Sequence, residues 1–344
     1  MLTDIKSMNL IELTAYLTDN GFEKFRAKQV LTWIKQDARS YDEMTNIPAK
    51  LREFLKENTY LAKAQIVRVQ RSKVDDTIKY LYQLYDGEYV EGVLMRYHHG
   101  LSVCISTQVG CKMGCTFCAT GKSGFSRSLT ASEMIAQIRS AELDAGERIS
   151  NVVLMGMGEP FDNYDNVIRF LKLVSSEDSL HIGMRHITIS TCGIVPRMRD
   201  FADLQLQCGL SVSLHAPDDE ARSRTMPINR RYPIGEVIAA SKYYVDKTNR
   251  RISFEYALIS GENDSDDHAR SLSELLSGML CHVNLIPVNN VTGAGYQKST
   301  LKRQNAFVNI LTQAGINATV RRTLGSDIDA SCGQLKRNFM KGDV

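Results

Sequence analysis

The sequence predicts an α/β protein, an open partial barrel of six β/α units that follows a small helical domain. Short apolar runs alternate with segments of helical periodicity, which is typical of parallel sheets, and six of these runs have strand character. Because a closed barrel needs eight units and typically about 250 residues, six strands favour an open one. The predicted strands are residues 102–107, 151–155, 186–190, 210–214, 252–258 and 283–287, with 318–322 as a candidate edge strand.

The segment before the barrel has a different pattern. Apolar residues between Asn9 and Glu57 recur at helical spacing among charged residues. From Ile78 to Tyr97 the pattern changes to strand-like alternation around Asp86-Gly87, a dipeptide typical of hairpin turns. We therefore predict a helical accessory domain at 1–75, a β-hairpin extension at 76–100, and the barrel with its C-terminal segment at 101–344.

Composition limits the class of protein. The 344 residues include 42 Lys and Arg against 39 Asp and Glu, and the resulting net charge of +3 excludes a polycationic scaffold. The charge is uneven, because residues 281–344 carry 8 basic and 3 acidic side chains. No apolar run reaches the roughly 18 residues of a membrane helix, and the first residues lack the basic segment followed by an apolar one that is typical of a signal peptide. We expect a cytoplasmic protein without membrane contact.

Three of the eight cysteines form one loop directly after the first predicted barrel strand. Cys111, Cys115 and Cys118 have the spacing C-x3-C-x2-C. Structural zinc takes four ligands, whereas three thiolates leave one position open, which suits a 4Fe-4S cluster with one iron free for a ligand. A zinc site with a distant fourth ligand stays open as an alternative, and Cys104 is the only thiol close enough to complete it.

A glycine-rich turn supports the iron-sulfur alternative. The apolar strand 152–155 runs into Gly156-Met157-Gly158-Glu159-Pro160, where backbone without side chains can approach a ligand closely. Together, the loop and the turn resemble those of the radical S-adenosylmethionine enzymes. The resemblance implies that the open iron binds S-adenosyl-L-methionine, that Gly158 and Glu159 hold its amino group, and that the reduced cluster cleaves it to a 5′-deoxyadenosyl radical.

Further segments narrow the resemblance. They are residues 125–127, 190–193, 213–217, 226–229, 284–289 and 321–335. These stretches resemble the RlmN/Cfr family of RNA adenine methyltransferases, over almost the whole chain. The resemblance implies methylation of carbon 2 of an adenosine in 23S rRNA, in the peptidyl-transferase region, and of the adenosine 3′ of the anticodon in some tRNAs. It also implies one 4Fe-4S cluster, two molecules of S-adenosyl-L-methionine per turnover and an electron donor such as flavodoxin with its reductase; we expect a monomer.

The same resemblance assigns roles to residues outside the cluster loop. Cys332 accepts the methyl group and then tethers it to the base, Cys104 releases the product through a transient disulfide with Cys332, and Glu91 accepts a proton. Glu91 lies in an otherwise apolar strand, although a position on a solvated hairpin face stays open. The implied cofactor contacts follow strand ends, where barrel sites assemble: Gly158, Glu159, Ser190, Ser213, Leu214, His215 and Asn289.

Two other functions stay open at this point. One is a carbon 8 adenosine methyltransferase that confers antibiotic resistance, although Pro160 and Pro287 look more like the carbon 2 branch. The other is a non-catalytic RNA-binding protein whose metal loop is structural.

The accessory domain resembles a helix-hairpin-helix module, which implies that it helps to hold RNA. The target base must leave its stack to reach the active site, so we expect recognition of RNA shape and extrusion of the base. Candidate phosphate contacts are Lys122, Arg127, Arg222, Arg224, Arg230 and Arg231, with Lys24, Arg26 and Lys28 as weaker ones, while Cys192, Cys208 and Cys281 are expected in the core.

Overall fold

The computed structural model describes residues 2–177, 179–288 and 296–328. The first part of the chain folds as a helical domain. Its helices are α1 (Leu10–Asp19), α2 (Arg26–Lys35) and α3 (Ala49–Asn58), and the two-residue strands β1 (Thr3–Asp4) and β2 (Thr59–Tyr60) pair beside them. Leu13, Val30 and Leu51 are fully buried in a core of their own. The helical periodicity of this region therefore predicted its structure correctly.

Seven parallel strands form the barrel part of a larger sheet within the described residues. They are β6 (Gly100–Cys104), β9 (Ile149–Leu154), β10 (Ile187–Thr191), β11 (Gly209–Ser213), β12 (Ile252–Leu258), β13 (Cys281–Pro287) and β14 (Asn317–Val320). All six predicted strands are present, and β14 is the predicted edge strand. They pair in chain order, so each strand lies beside the next, as a parallel β/α fold requires.

Helices connect and cover these parallel strands. They are α4 (Ala131–Ala145), α5 (Tyr164–Ser175), α6 (Val195–Asp203), α7 (Asp219–Thr225), α8 (Ile234–Thr248), α9 (Asp266–Leu275) and α10 (Leu301–Gln313). Thr130 and Glu133 form a capping box at the start of α4. Strand residues such as Val152, Ile189 and Phe254 are fully buried in one core with the helices. None of the described helices combines the length and apolar character needed to cross a bilayer.

Three antiparallel strands extend the same sheet beyond β6. They are β3 (Gln65–Arg71), β4 (Ile78–Gln83) and β5 (Tyr89–Tyr97), and β5 pairs with β6. The structure differs here from the sequence prediction, because β3 lies inside the segment assigned to the helical domain and 76–100 is part of the main sheet. The reason is that β3 is an edge strand whose polar residues give little apolar alternation. The boundary predicted near residue 75 does not coincide with the edge of this sheet.

The helical domain docks against the outer helices of the barrel. The Asp4 carboxylate accepts a hydrogen bond from the Ser132 hydroxyl at 2.6 Å, at the start of α4. On α5, Arg169 pairs with Glu12 at 2.7 Å. These contacts hold the domain behind α4 and α5, and they leave the carboxyl ends of the parallel strands uncovered by it.

Candidate active site

A cavity of about 330 Å³ lies at the carboxyl ends of the parallel strands, where β/α barrels assemble their sites. It brings together Glu91, Cys104, Cys118 and His215 from the predicted set. The predicted residues that are described but do not line this cavity are Cys111, Cys115, Gly158, Glu159, Ser190, Ser213 and Leu214. Asn289 and Cys332 lie outside the described residues. The structure therefore brings part of the predicted site together around one cavity.

The cysteine loop is a long hairpin loop between two short strands, β7 (Gln108–Gly110) and β8 (Phe125–Ser128). Gly110 and Gly124 form its neck, where Gly110 has a φ of +79° and a Cβ there would lie 2.0 Å from the Gly124 carbonyl oxygen. Only glycine fits this close approach. At the far end, the Thr116 N–H donates to the Thr225 carbonyl at 3.0 Å and holds the loop against α7.

The donor set of the loop fits an iron-sulfur cluster. Burial raises the pKa of the Cys111 thiol to about 12 and also raises the pKa of Cys115, so bound metal has to displace their protons. Among the described residues, no three Cys, His, Asp or Glu side chains gather as they would around a single metal ion. A four-iron cluster binds each thiolate through a different iron, so its ligands stand further apart than those of one ion. Cys111, Cys115 and Cys118 would hold three of its irons.

The glycine-rich turn after β9 is built against β7. Gly158 has a φ of +103°, and a Cβ on it would lie 2.6 Å from the Cβ of Gln108. The Glu159 carboxylate is buried and accepts two main-chain hydrogen bonds, from Phe161 N–H at 2.9 Å and from Cys192 N–H at 2.7 Å. Burial raises the pKa of Glu159, and the two hydrogen bonds act in the opposite direction. Glu159 therefore ties the end of β9 to the end of β10.

Arg222 corrects one expectation from the sequence. Its guanidinium is fully buried and donates to the main-chain carbonyls of Cys192, Ser213 and Leu214 at 2.6, 3.2 and 3.1 Å. It is therefore unavailable to an RNA phosphate. The contact instead joins the ends of β10 and β11, which carry the predicted cofactor residues. The main-chain N–H of Leu214 is also used, because it donates to the Glu255 carbonyl at 3.0 Å.

His215 is held as a neutral imidazole. Its Nδ1 accepts the Ala257 N–H at 2.9 Å, so the hydrogen-bond pattern assigns the ring proton to Nε2. Burial, with a smaller contribution from Arg222, lowers the pKa of His215 to about 3. The ring meets Phe117 of the cysteine loop edge to face, with the ring centroids 4.7 Å apart. His215 can thus offer a neutral N–H donor beside the loop.

Glu91 and Cys104 share one face of the sheet. Cys104 pairs with Val93 across β5 and β6, and Glu91 lies two residues from Val93. Glu91 is 2% exposed, which excludes the alternative position on a solvated hairpin face. Burial raises the pKa of the Cys104 thiol to about 11, while Arg321 favours the thiolate. The two groups are positioned to act on one ligand in the cavity.

Lys79 is a site residue that sequence reasoning missed. Its ammonium lies 2.8 Å from Glu91 Oε2, and both side chains are buried. The Asp86-Gly87 turn sets a register in which Leu81 faces Glu91, so Lys79 is the diagonal neighbour of Glu91 on the same face. Counting outward from the predicted turn could have placed the two charges together.

The segment that leads to Cys332 is anchored on the turn between β3 and β4. The Asp327 carboxylate accepts the Ser72 hydroxyl at 2.5 Å and the Lys73 N–H at 2.6 Å. The Gly325 N–H donates to the Asp75 carboxylate at 2.9 Å. These bonds tie the segment after β14, one edge strand of the sheet, to the turn after β3, the other edge strand. This turn belongs to the antiparallel part of the sheet, which also carries Glu91.

Other predicted residues have mixed outcomes. Arg127 forms ion pairs with Asp86 at 2.6 Å and Glu133 at 2.8 Å, so it supports the fold around the loop. Of the remaining candidate phosphate contacts, Arg224, Arg230 and Arg231 are exposed. The cysteines expected in the core, Cys192, Cys208 and Cys281, are buried there. The described cysteines are free thiols, and the implied Cys104 to Cys332 pairing involves a residue outside the described range.

Comparison with known proteins gives the class of protein. Residues 105–272 match the model of the Radical SAM superfamily, and residues 3–61 match that of the Ribosomal RNA large subunit methyltransferase N-terminal domain. A solved radical SAM methyltransferase from Sphaerobacter thermophilus has a TM-score of 0.88 and 46% identity, over 96% of this chain and 98% of that one. Fold and cysteine loop thus define a radical S-adenosylmethionine enzyme with a 4Fe-4S cluster and S-adenosyl-L-methionine as cofactors.

Two relatives give the family within this class. The probable dual-specificity RNA methyltransferase RlmN of Alkaliphilus oremlandii is 53% identical over 98% of both chains. The protein of the same name from Clostridium tetani is 48% identical over 99% of this chain and 98% of that one. The chain belongs to the RlmN family of radical S-adenosylmethionine RNA methyltransferases. The fold class and the family implied by the sequence are confirmed.

Proposed function

We propose that the enzyme methylates carbon 2 of an adenosine in the peptidyl-transferase region of 23S rRNA and of the adenosine 3′ of the anticodon in some tRNAs. The observation that carries this proposal is the meeting of Glu91, Cys104 and Cys118 around one cavity. A carboxylate, a thiol and the cluster loop are the protein groups that the reaction needs in one place. The dual specificity in the names of the relatives supports two RNA substrates.

Carbon 2 of adenine explains the need for extra thiols. This carbon is electron-poor and offers no nucleophile to a methyl sulfonium, so direct polar transfer fails. A thiolate is a competent nucleophile and can carry the methyl group first. When bound, the cluster and S-adenosyl-L-methionine supply the methyl group and the 5′-deoxyadenosyl radical. Cys332 is the proposed methyl carrier.

The described residues provide the remaining steps. After the Cys332 methylene carbon has bonded to carbon 2, the adduct must lose one electron, for which a bound cluster would be the acceptor, and the Glu91 carboxylate accepts the proton from carbon 2. The Cys104 thiolate then attacks the sulfur of Cys332 and forms a disulfide. The electron pair of the broken carbon–sulfur bond stays with the methylene carbon, which takes up a proton and becomes the methyl group of the released base. The sheet register places both groups on the face that lines the cavity. The high pKa of Cys104 requires that its thiol lose a proton before it attacks.

For the cofactor, the proposed contacts are Gly158, Glu159, Ser190, Ser213, Leu214, His215 and Asn289. The main-chain bonds of Glu159 and Arg222 fix the strand ends that carry most of them. His215 offers its neutral Nε2 proton, and the glycine at 158 leaves room for close backbone approach. We propose in addition that the enzyme works as a monomer in the cytoplasm, where its RNA substrates are, and that flavodoxin with its reductase supplies electrons.

Nucleoside mass spectrometry tests the substrate. RNA from cells that lack the gene, and from the same cells after the gene is restored, is digested, and 2-methyladenosine is measured separately in 23S rRNA and tRNA. We expect 2-methyladenosine to appear in both only when the gene is present. If 8-methyladenosine appears instead, the enzyme belongs to the carbon 8 branch.

Anaerobic reconstitution tests the enzyme against a purely structural metal loop. We expect brown protein that bleaches with dithionite and forms 5′-deoxyadenosine from S-adenosyl-L-methionine. A colourless zinc protein without this product would contradict the proposal. A Cys332→Ala variant should still cleave the cofactor weakly but transfer no methyl group to RNA, and retained transfer would disprove the methyl-carrier role.

A further inference from the structure

A buried ion pair forms part of the active-site face, and its lysine has no role in the steps above. The Lys79 side chain is fully buried, the Glu91 side chain is 2% exposed, and Nζ lies 2.8 Å from Oε2. Removing two charges from water costs several kcal/mol per ion, so a hydrophobic pair would usually be at least as stable in this position. Stability alone is therefore a weak reason for a lysine here.

The ion pair lies on the face of the sheet that borders the cavity. Lys79 and Glu91 lie on the same face of neighbouring antiparallel strands, and the opposite face carries the core residues Tyr80, Tyr82 and Val90. Glu91 lines the cavity, whereas Lys79 does not. The cavity is therefore bordered by the carboxylate and not by the ammonium. The ammonium contacts one carboxylate oxygen, Oε2.

We propose that Lys79 is a positioning residue that holds the Glu91 carboxylate in the orientation needed to take the proton from carbon 2. The inference rests on the proposed function. A carboxylate at the end of a two-carbon side chain has several rotamers, and anchoring one oxygen fixes the direction of the other. The positive charge also compensates the carboxylate in a site from which water is excluded. Lys79 contacts Glu91 and takes no part in bond making.

The proposal predicts where the reaction stops. Once the adduct has given up one electron, for which a bound cluster would be the acceptor, carbon 2 loses its proton to Glu91 and the C–H electron pair stays with the base, after which the Cys104 thiolate can attack the Cys332 sulfur. Loss of Lys79 should slow this proton transfer and leave earlier events intact. The base then stays bonded to Cys332, so a covalent protein–RNA adduct should accumulate.

The test compares single-turnover reactions of reconstituted wild-type enzyme with Lys79→Met, which removes the charge and leaves an unbranched side chain one atom shorter, and with Glu91→Gln. For Lys79→Met we expect 2-methyladenosine formation to fall by about 10-fold to 100-fold and adduct to accumulate on denaturing gels, while 5′-deoxyadenosine formation and Cys332 methylation stay near wild type. Lys79→Arg keeps the charge and should recover part of the rate. Lys63→Met, which removes an exposed lysine charge, is the matched control.

A double variant separates positioning from a general effect on folding. If Lys79 acts only through Glu91, Lys79→Met combined with Glu91→Gln should be no slower than Glu91→Gln alone. Fully additive losses, or wild-type release by Lys79→Met, would overturn the proposal. Melting temperature and cluster absorbance confirm that each variant is folded and loaded, and the double variant, which removes both charges of the pair, keeps the test possible if Lys79→Met is unstable.

Failure of the proposed function has a different signature. Wild-type enzyme that forms no 2-methyladenosine contradicts the proposed function itself. Wild-type enzyme that forms it at the same rate as Lys79→Met contradicts the role of Lys79 alone.

Discussion

Buried charges are compensated differently in the antiparallel and the parallel parts of the sheet. In the antiparallel part, Lys79 and Glu91 compensate each other at 2.8 Å. At the carboxyl ends of the parallel strands, main-chain groups do so: Arg222 donates to carbonyls, and Glu159 accepts from N–H groups. The comparison shows that a charge buried between interior strands and a charge buried at strand ends can be compensated in different ways in one sheet.

The physical reason is the availability of main-chain groups. β4 and β5 are interior strands, so their N–H and C=O groups bond to neighbouring strands on both sides. Where parallel strands end, the next few main-chain groups leave the ladder and need partners. Cys192 and Leu214 directly follow β10 and β11. The carbonyls of both residues accept hydrogen bonds from Arg222, and the Cys192 N–H donates to Glu159.

Arg222→Met should have the largest effect on stability. It leaves four main-chain carbonyls and the Asn229 side-chain oxygen without their shared donor, and each buried unsatisfied group is costly. We expect a loss of about 4 kcal/mol in the free energy of unfolding, measured by urea denaturation. Arg224→Met, on the exposed side of the same helix, is the control and should change little. A loss below about 1 kcal/mol for Arg222→Met would contradict main-chain compensation as the main role.

Lys79→Met should have the next largest effect, because it leaves the Glu91 carboxylate buried without its ammonium partner. We expect a loss of about 3 kcal/mol in the free energy of unfolding. Adding Glu91→Leu should recover part of this loss, since the double variant no longer buries the carboxylate without the ammonium. If the second substitution instead adds a further loss of equal size, the two residues do not compensate each other.

His215 should make stability depend on pH. Its pKa is about 3 in the folded protein against 6.5 for an ordinary histidine, so the unfolded chain binds a proton that the folded one does not between these values. This contribution is zero above pH 6.5 and destabilises the fold as pH falls below it. At pH 5 it amounts to about 2 kcal/mol relative to pH 7. His215→Asn should reduce the change in unfolding free energy between pH 7 and pH 5 by about this amount, and an unchanged dependence would contradict a buried neutral imidazole.

The smallest effect is expected at the exposed pair of Arg96 and Glu147, which lie 2.6 Å apart with 42% and 51% of their side chains exposed. Solvent screens such a pair, so Glu147→Gln should leave the unfolding midpoint unchanged within error. A shift as large as that of Lys79→Met would show that burial does not explain the difference between the two ion pairs.

Local patterns predicted much of the fold. The apolar runs located six parallel strands, and the Asp86-Gly87 turn located the hairpin of β4 and β5. The strand β3 was not predicted, because an edge strand with polar residues on both faces lacks the alternation that marks a half-buried strand. The prediction that Arg222 contacts an RNA phosphate was also wrong. It relied on residue type, and an arginine is exposed far more often than buried.

Residues close together in the chain were enough to predict the cysteine loop, the glycine-rich turn and the alternation of strands and helices. The partners of the buried polar groups depend instead on the assembled fold: Lys79 with Glu91, Arg222 with the Cys192 carbonyl and His215 with the Ala257 N–H. These partners come from different strands and loops. Their contact depends on strand order, register and burial, which arise only when the whole sheet assembles around its core.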